Sequence, residues 1–290
     1  MKALDKIYLE ITNVCNLSCP FCPPTRRPRK TMSVGDFSRI LTRVRARAKT
    51  LYFHVKGEPL MHPDLSSLID IAAASSFSVV ITTNGTLLPE SLCALSPKAN
   101  LARVNVSLHS LAQFPRDRRL PLARAIFEAA ERLSAANRAV NPRFLVSLRL
   151  WTRDRTDDTA EILEELAGRY GIGRDGIDSV LAGHNGLKLA PGVALHAADT
   201  FDWPALEGDD YGPRGFCHAL RDQAAILVDG TVVPCCLDGD GVIALGNILE
   251  TEWDEILASP RARALYDGFS ARTVAEPLCR RCGYRLRFGS

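Results

Sequence analysis

Ile11-Thr12-Asn13-Val14-Cys15-Asn16-Leu17-Ser18-Cys19-Pro20-Phe21-Cys22 sets three thiols within eight residues, spaced Cx3CxxC. It runs on directly from Lys6–Thr12, where apolar Ile7, Leu9 and Ile11 alternate with Tyr8, Glu10 and Thr12, the period of a half-buried strand. In parallel α/β folds, functional groups gather in the loops at the carboxyl ends of strands. Three thiolates can hold three irons of a cubane and leave the fourth without a protein ligand, whereas a cluster used only for electron transfer usually has four cysteines. Catalytic zinc sites keep a similar vacancy for the reactant. On the residues alone, a three-cysteine zinc site is the competing reading.

Outward from this stretch, further strand candidates are Thr50–Lys56, Ser78–Thr83, Arg103–His109, Arg143–Leu150 and, more weakly, Gly176–Ala182. Between them lie the helix-period stretches Val34–Ala48, Asp64–Ala74, Pro121–Ala136 and Asp158–Tyr170. Strand–helix alternation predicts a parallel α/β architecture. Six repeats are too few for an eight-stranded barrel and suit an open, partial (β/α)6 barrel, expected over residues 1–182. Within the strands one face is aliphatic; the other carries Tyr8, Glu10, Tyr52, His54, Lys56, Asn105, Ser107, His109, Ser147 and Arg149. Successive strand residues point to opposite faces, so the lumen of such a barrel would hold something polar. A half-exposed antiparallel sheet is the plainer alternative. Residues 183–216, rich in Gly, Pro, Asp and His, read as linker loops that shape a substrate pocket. Residues 217–290 read as a small α+β unit with a hairpin at Asp229-Gly230, between Ala225–Val228 and Thr231–Val233, and a helix around Trp253–Leu265.

The chain has 290 residues, 46% apolar and 24% charged, an ordinary globular composition. A net charge of +3 gives no argument for nucleic acid, no apolar run reaches the roughly 18–20 residues of a membrane span, and the start reads as strand rather than signal peptide. Cytoplasm is the expected compartment. Nine cysteines there lean towards metal or redox chemistry, since disulfides are disfavoured. Seven fall into two groups: Cys15, Cys19 and Cys22, then Cys217, Cys235, Cys279 and Cys282. Cys93 reads as a buried small hydrophobe.

Cx3CxxC after the first strand, with Phe21 before the last cysteine, resembles the signature of the radical S-adenosylmethionine (SAM) superfamily. The resemblance implies a [4Fe–4S] cluster on Cys15, Cys19 and Cys22 whose open iron chelates the methionine end of SAM. Reduction then yields methionine and a 5′-deoxyadenosyl radical that abstracts a substrate hydrogen. Phe21 would lie against the adenine. Lys56-Gly57-Glu58-Pro59 resembles the family's GGEP element, whose backbone binds the SAM amine, with Lys56 in place of the first glycine. Thr82-Thr83-Asn84-Gly85 resembles the segment after the third strand, which brings in Asn84 as a cofactor contact. Ser107 and Arg149 stand where the family contacts the SAM ribose and carboxylate, and a guanidinium suits a carboxylate through two hydrogen bonds.

Asp229-Gly230-Thr231-Val232-Val233-Pro234-Cys235, with Cys217 upstream and Cys279-Arg280-Arg281-Cys282 downstream, resembles the twitch extension, the shortened SPASM domain, which binds one auxiliary [4Fe–4S] cluster. Four ligands, Cys217, Cys235, Cys279 and Cys282, would leave no open iron and so imply electron transfer or structure. A structural zinc is the competing occupant, and Cys236 could replace Cys235 or simply pack in the core. Arg280, Arg281, Arg285 and Arg287 could raise the cluster potential, dock an acidic donor such as flavodoxin or ferredoxin, or form a solvated tail.

These parts predict oxidation of a small polar substrate, with the auxiliary cluster accepting an electron; the cysteine spacing is similar to that of aminocyclitol dehydrogenases. Substrate contacts are expected from His54, Lys56, Asn185, Lys188 and Trp203. The alternatives are modification of a ribosomally made peptide and, in a different class, a non-catalytic iron–sulfur or zinc scaffold or sensor.

Overall fold

The computed structural model describes residues 4–151, 157–183 and 186–289. Its strands are β1 (Lys6–Leu9), β2 (Thr50–Phe53), β3 (Ser78–Thr83), β4 (Leu101–Ser107), β5 (Leu145–Trp151), β6 (Leu187–Ala190), β7 (Val193–Ala198), β8 (Gln223–Ile226), β9 (Thr231–Val233) and β10 (Gly246–Asn247). Its helices are α1 (Val34–Val44), α2 (Leu65–Ala74), α3 (Leu92–Leu95), α4 (Arg116–Arg138), α5 (Asp157–Tyr170), α6 (Arg174–Gly183), α7 (Trp253–Ala258), α8 (Pro260–Ser270) and α9 (Pro277–Arg280). Two compact units result: Met1–Glu58 with Ala74–Phe77 and Phe201–Ser290, and Pro59–Ala73 with Ser78–Thr200. Each is built on parallel strands with connecting helices, the α/β class expected from the alternation.

In the first unit β1 pairs in parallel with β2 on one side and with β8 on the other, Tyr8 standing opposite both Tyr52 and Ala225. β9 then pairs antiparallel with β8, and β10 with β9. The hairpin read from Asp229-Gly230 is thus joined to the first strand. Gly230 sits at φ +91°, and a Cβ there would lie 2.5 Å from Asn247 Oδ1, so only glycine lets Asn247 close the turn. The predicted alternation is present: Ile7, Leu9, Leu51 and Phe53 are fully buried, while Tyr8, Tyr52 and His54 are half-buried.

Helix α1 covers the apolar face. Phe37, Ile40, Leu41 and Val44 recur at helical spacing and are all buried, and Phe37 meets Phe53 edge-on at 5.7 Å between ring centroids. Ser33 caps it, its hydroxyl accepting from Asp36 N at 3.0 Å. Ser33→Ala should therefore cost about 1 kcal/mol, read as a lower urea midpoint at unchanged slope.

In the second unit β3, β4, β5 and β7 are successively parallel, and β6 turns back antiparallel on β7. Four readings need correction, the first being Cys93, which is exposed on α3 rather than buried. Gly176–Ala182 is not a strand but part of α6, with Ile177 buried. The strand parallel to β5 is instead β7, inside 183–216, where the composition predicts only loop. The helix expected at Trp253–Leu265 is also two helices: Ser259 caps α8 and Pro260 occupies its first turn, where the missing N–H is harmless. None of the described helices is long and apolar enough to cross a membrane.

Candidate active site

The Cx3CxxC loop leaves β1 and is closed behind the cysteines by the returning chain. Thr12 bridges Thr31, their hydroxyls 3.0 Å apart. Asn13 Nδ2 donates to Pro28 O at 2.8 Å, and Asn13 Oδ1 accepts from Lys30 N at 2.7 Å. Within the loop Cys22 N donates to Cys19 O at 3.0 Å and Leu17 N to Cys15 Sγ at 3.4 Å. Cys15 is exposed, and Cys19, Phe21 and Cys22 are half-buried. The loop is thus fixed by its backbone and two polar side chains, leaving the three thiols accessible to a cluster.

Beneath the loop lies Glu10, a residue the sequence reading placed on the polar face without a role. It is 1% exposed. Both carboxylate oxygens accept from Arg27 Nη2 at 2.6 Å, while Lys56 N donates to Oε1 at 3.2 Å and Val228 N to Oε2 at 2.9 Å. One carboxylate so ties the cysteine loop, the Lys56-Gly57-Glu58-Pro59 turn and the C-terminal hairpin. Burial pushes its pKa up, and Arg27 and the two backbone donors pull it down. Arg27 Nε also donates to Gly239 O at 2.9 Å.

The Gly57 turn sits at φ +77°, and a Cβ there would fall 2.3 Å from Thr12 O, so the backbone of this turn packs directly on the cysteine-loop strand. Glu58 is 1% exposed, and its N–H donates to Val14 O at 2.8 Å. Lys56 is buried, with Nζ donating to Pro23 O at 2.6 Å and lying 4.4 Å from the centre of the Trp203 ring. Burial pushes the Lys56 pKa down, and the nearby Cys22, Asp240 and Glu10 charges push it up. His54 lies 6.1 Å from Tyr8, ring to ring.

In the second unit Ser107 on β4 stands in register opposite Arg149 on β5, and Arg149 opposite His196 on β7. His196, missed because β7 was missed, shares a 2.8 Å hydrogen bond through Nδ1 with Ser147 Oγ. Asn105 is fully buried; Nδ2 donates to Thr82 Oγ1 at 3.2 Å and Oδ1 has no partner among the described residues. Asn84 Oδ1 accepts from Thr86 N at 2.9 Å and shapes the turn after β3. Lys188 is exposed on β6. Asn185 lies outside the described residues.

The C-terminal thiols form a second set. Burial pushes the Cys235 pKa well up, and the neighbouring Cys236, Cys217, Cys279 and Cys282 add to it. Cys279 is likewise pushed well up, Cys217 to about 11, and Cys282 up, each chiefly by burial. Four half-buried thiols within electrostatic reach of one another, none in a disulfide, suit a thiolate-bound positive centre, which lowers thiol pKa on binding. A cubane takes each thiolate on its own iron. Cys236 instead packs beside Val55, Ala225, Leu227 and Val233 and is hydrogen-bonded to Tyr8.

Arg285, read among the basic tail residues, is 3% exposed. It donates to the carbonyls of Cys279 (2.9 Å), Arg214 (2.7 Å), Tyr211 (3.0 Å) and Gly212 (2.7 Å). It thereby clips the 211–214 segment, just before Cys217, to the Cys279 turn. Arg280 pairs with Asp210 at 2.6 Å, and Arg287 lies over the Tyr284 ring. Arg285→Lys keeps one charge but cannot serve four carbonyls; it should cost about 2–3 kcal/mol and speed loss of the C-terminal cluster to chelator.

A model of the radical SAM superfamily matches residues 9–166, and one of the SPASM iron–sulfur cluster-binding domain matches 217–283. The GTP 3′,8-cyclase of Chlorobaculum tepidum is 34% identical over 114 residues, and the probable GTP 3′,8-cyclase of Aeropyrum pernix 34% identical over 125. These matches take in 38% and 39% of this chain and 34% of each relative, so the chain spans about a third of the length of the curated relatives it matches. Among solved structures, BtrN in complex with AdoMet and 2-DOIA superposes with a TM-score of 0.54 at 16% identity, covering 98% of this chain and 94% of that one. Streptococcus suis SuiB bound to S-adenosylmethionine gives 0.60 at 17% identity, over 99% and 72%. With a family model over more than half its length, the chain belongs to the radical SAM superfamily: it is a radical SAM enzyme with a C-terminal SPASM domain, and its cofactors are SAM and two [4Fe–4S] clusters.

Proposed function

We propose that the chain oxidises a small polar substrate, with Cys15, Cys19 and Cys22 holding the SAM-cleaving cluster and Cys217, Cys235, Cys279 and Cys282 the second. When bound, the first cluster supplies the electron that splits SAM into methionine and a 5′-deoxyadenosyl radical. The substrate would lose one hydrogen atom to that radical and a proton to solvent or a nearby base, and pass one electron to the second cluster, leaving a ketone or imine. The observation that carries this reading is the second thiol set: four half-buried cysteines, one for each iron of a cubane, would leave no iron open, which suits an electron acceptor rather than a substrate ligand. For SAM we assign the backbone at Gly57 and Glu58, with Phe21, and in the second unit Asn84, Ser107 and Arg149. The unpartnered Asn105 Oδ1 supports a polar ligand at that strand face. His54 and Lys188 remain assigned to substrate, and flavodoxin or ferredoxin to electron supply.

The likeness to BtrN, which was solved in complex with AdoMet and 2-DOIA and superposes over nearly the whole of both chains, is in keeping with a small polar substrate. Peptide modification is the second reading, favoured by the higher TM-score of 0.60 to SuiB, which is also seen bound to its precursor peptide SuiA. Anaerobic protein with SAM, dithionite and C-deuterated polyols or aminocyclitols tests both. Deuterium in 5′-deoxyadenosine with formation of a carbonyl product supports oxidation. Transfer only from short peptides moves the assignment to the second reading. A reconstituted protein that forms no 5′-deoxyadenosine under any condition would leave a scaffold or sensor.

A further inference from the structure

Lys56 stands where the resembling GGEP element has glycine, and the fold has built a compartment for it. The residue is 7% exposed. On one side the aliphatic stem runs over Gly239, where a Cβ would fall 2.7 Å from Lys56 Cε and 3.0 Å from Cγ, so the absent side chain at 239 is what admits it. On the other side the ammonium faces the Trp203 ring at 4.4 Å, a favourable place for a cation. At its tip Nζ donates to Pro23 O at 2.6 Å, the same carbonyl that lies 3.9 Å from Cys22 Sγ. The backbone N–H of Lys56 is held by Glu10 at 3.2 Å. Such a lysine is held at both ends and along its length, with its charge next to the last cysteine of the loop.

We propose that Lys56 is a positioning residue for the N-terminal cluster: its fixed ammonium pins the Pro23 carbonyl beside Cys22 and makes the cluster easier to reduce, while Gly239 and Trp203 keep it there. This rests on Cys15, Cys19 and Cys22 being the ligands of that cluster. A positive charge beside a cluster favours its reduced, more negative state. Lys56 thus faces the cysteine loop, and its charge serves the cofactor in place of the substrate contact expected from sequence.

The test is a redox titration of the anaerobically reconstituted full chain, followed by electron paramagnetic resonance. The signal that changes on adding SAM identifies the N-terminal cluster and separates it from the second. K56M should make reduction of that cluster about tenfold less favourable, a fall of about 59 mV for a one-electron couple. K56R, which keeps the charge, should stay nearer wild type than K56M. G239A, which keeps Lys56 but fills its groove, should shift the potential in the same direction as K56M. The second cluster should not move in any of them. Loss of the SAM-sensitive cluster alone in K56M, regained in K56R, also supports the assignment. Should K56M not fold by circular dichroism, G239A decides. A SAM-sensitive potential unchanged in K56M, or in G239A where K56M is unfolded, or equal shifts in K56M and K56R, overturns the proposal and leaves the function above intact. A wild-type protein with no SAM-sensitive signal overturns both.

Discussion

A variant carrying Cys15→Ala, Cys19→Ala and Cys22→Ala should form no 5′-deoxyadenosine above background, yet keep roughly half of the wild-type iron and sulfide. The asymmetry follows from how the two thiol sets are built. The first three sit on one loop, exposed or half-buried, and contribute little packing. That loop is closed by Thr12 to Thr31, by Asn13 to Pro28 and Lys30, and by Glu10 to Arg27, none of which uses a thiol. Its fold should therefore survive loss of the cysteines, and far-UV circular dichroism should not change. The second set is carried by segments far apart in sequence and assembled by Arg285 and the 211–214 clip, so it should still load. The converse variant, Cys279→Ala with Cys282→Ala, should retain SAM cleavage only as far as the hairpin next to β1 stays folded. Iron analysis with a SAM-cleavage assay on both variants checks the pair. Undiminished iron in the triple variant, or SAM cleavage by it, would contradict the ligand assignment.

The parts legible in the sequence are those whose signal is local. β1, β2, β4 and β5 could be read because apolar and polar residues alternate along them, β3 because it is a short apolar, β-branched run, and the hairpin because Asp229-Gly230 separates two apolar runs. Cx3CxxC and the terminal CxxC are short-range patterns and needed no tertiary information. β7 was locally legible too: Val193, Leu195 and Ala197 alternate with Ala194 and His196 after the turn residues Pro191-Gly192, but the Gly, Pro and His content around them masked the period. Ser259-Pro260 similarly announced a new helix start. What could not be read were contacts between residues distant in the chain. Nothing near Glu10 marks it as the acceptor of Val228 N–H, 218 positions away. Nothing in Arg285-Leu286-Arg287 separates the buried guanidinium from its exposed neighbours, because its four carbonyl partners are main-chain atoms with no sequence signature.

Glu10→Ala should be among the most destabilising single substitutions, costing about 3–5 kcal/mol. The carboxylate is fully enclosed, with side-chain exposures of 0% for Glu10 and 12% for Arg27. Removing it leaves the Arg27 guanidinium largely buried without its counter-charge and withdraws the acceptor from two main-chain donors, Lys56 N and Val228 N. Orphaned buried donors carry their full desolvation penalty, about 1–3 kcal/mol each, while relaxation and entering water recover part of it. Glu10→Gln keeps the shape and one carbonyl acceptor but turns an NH2 towards donors, so it should fall between alanine and wild type. The partial rescue expected of Glu10→Ala with Arg27→Met is the sharper check, since deleting both charges removes the unpaired ion while leaving the main-chain donors unsatisfied. Urea unfolding of the four proteins measures the cycle. A favourable Glu10–Arg27 coupling energy above about 1 kcal/mol is expected, and additive losses would mean that the three segments meeting at this carboxylate are held by packing alone.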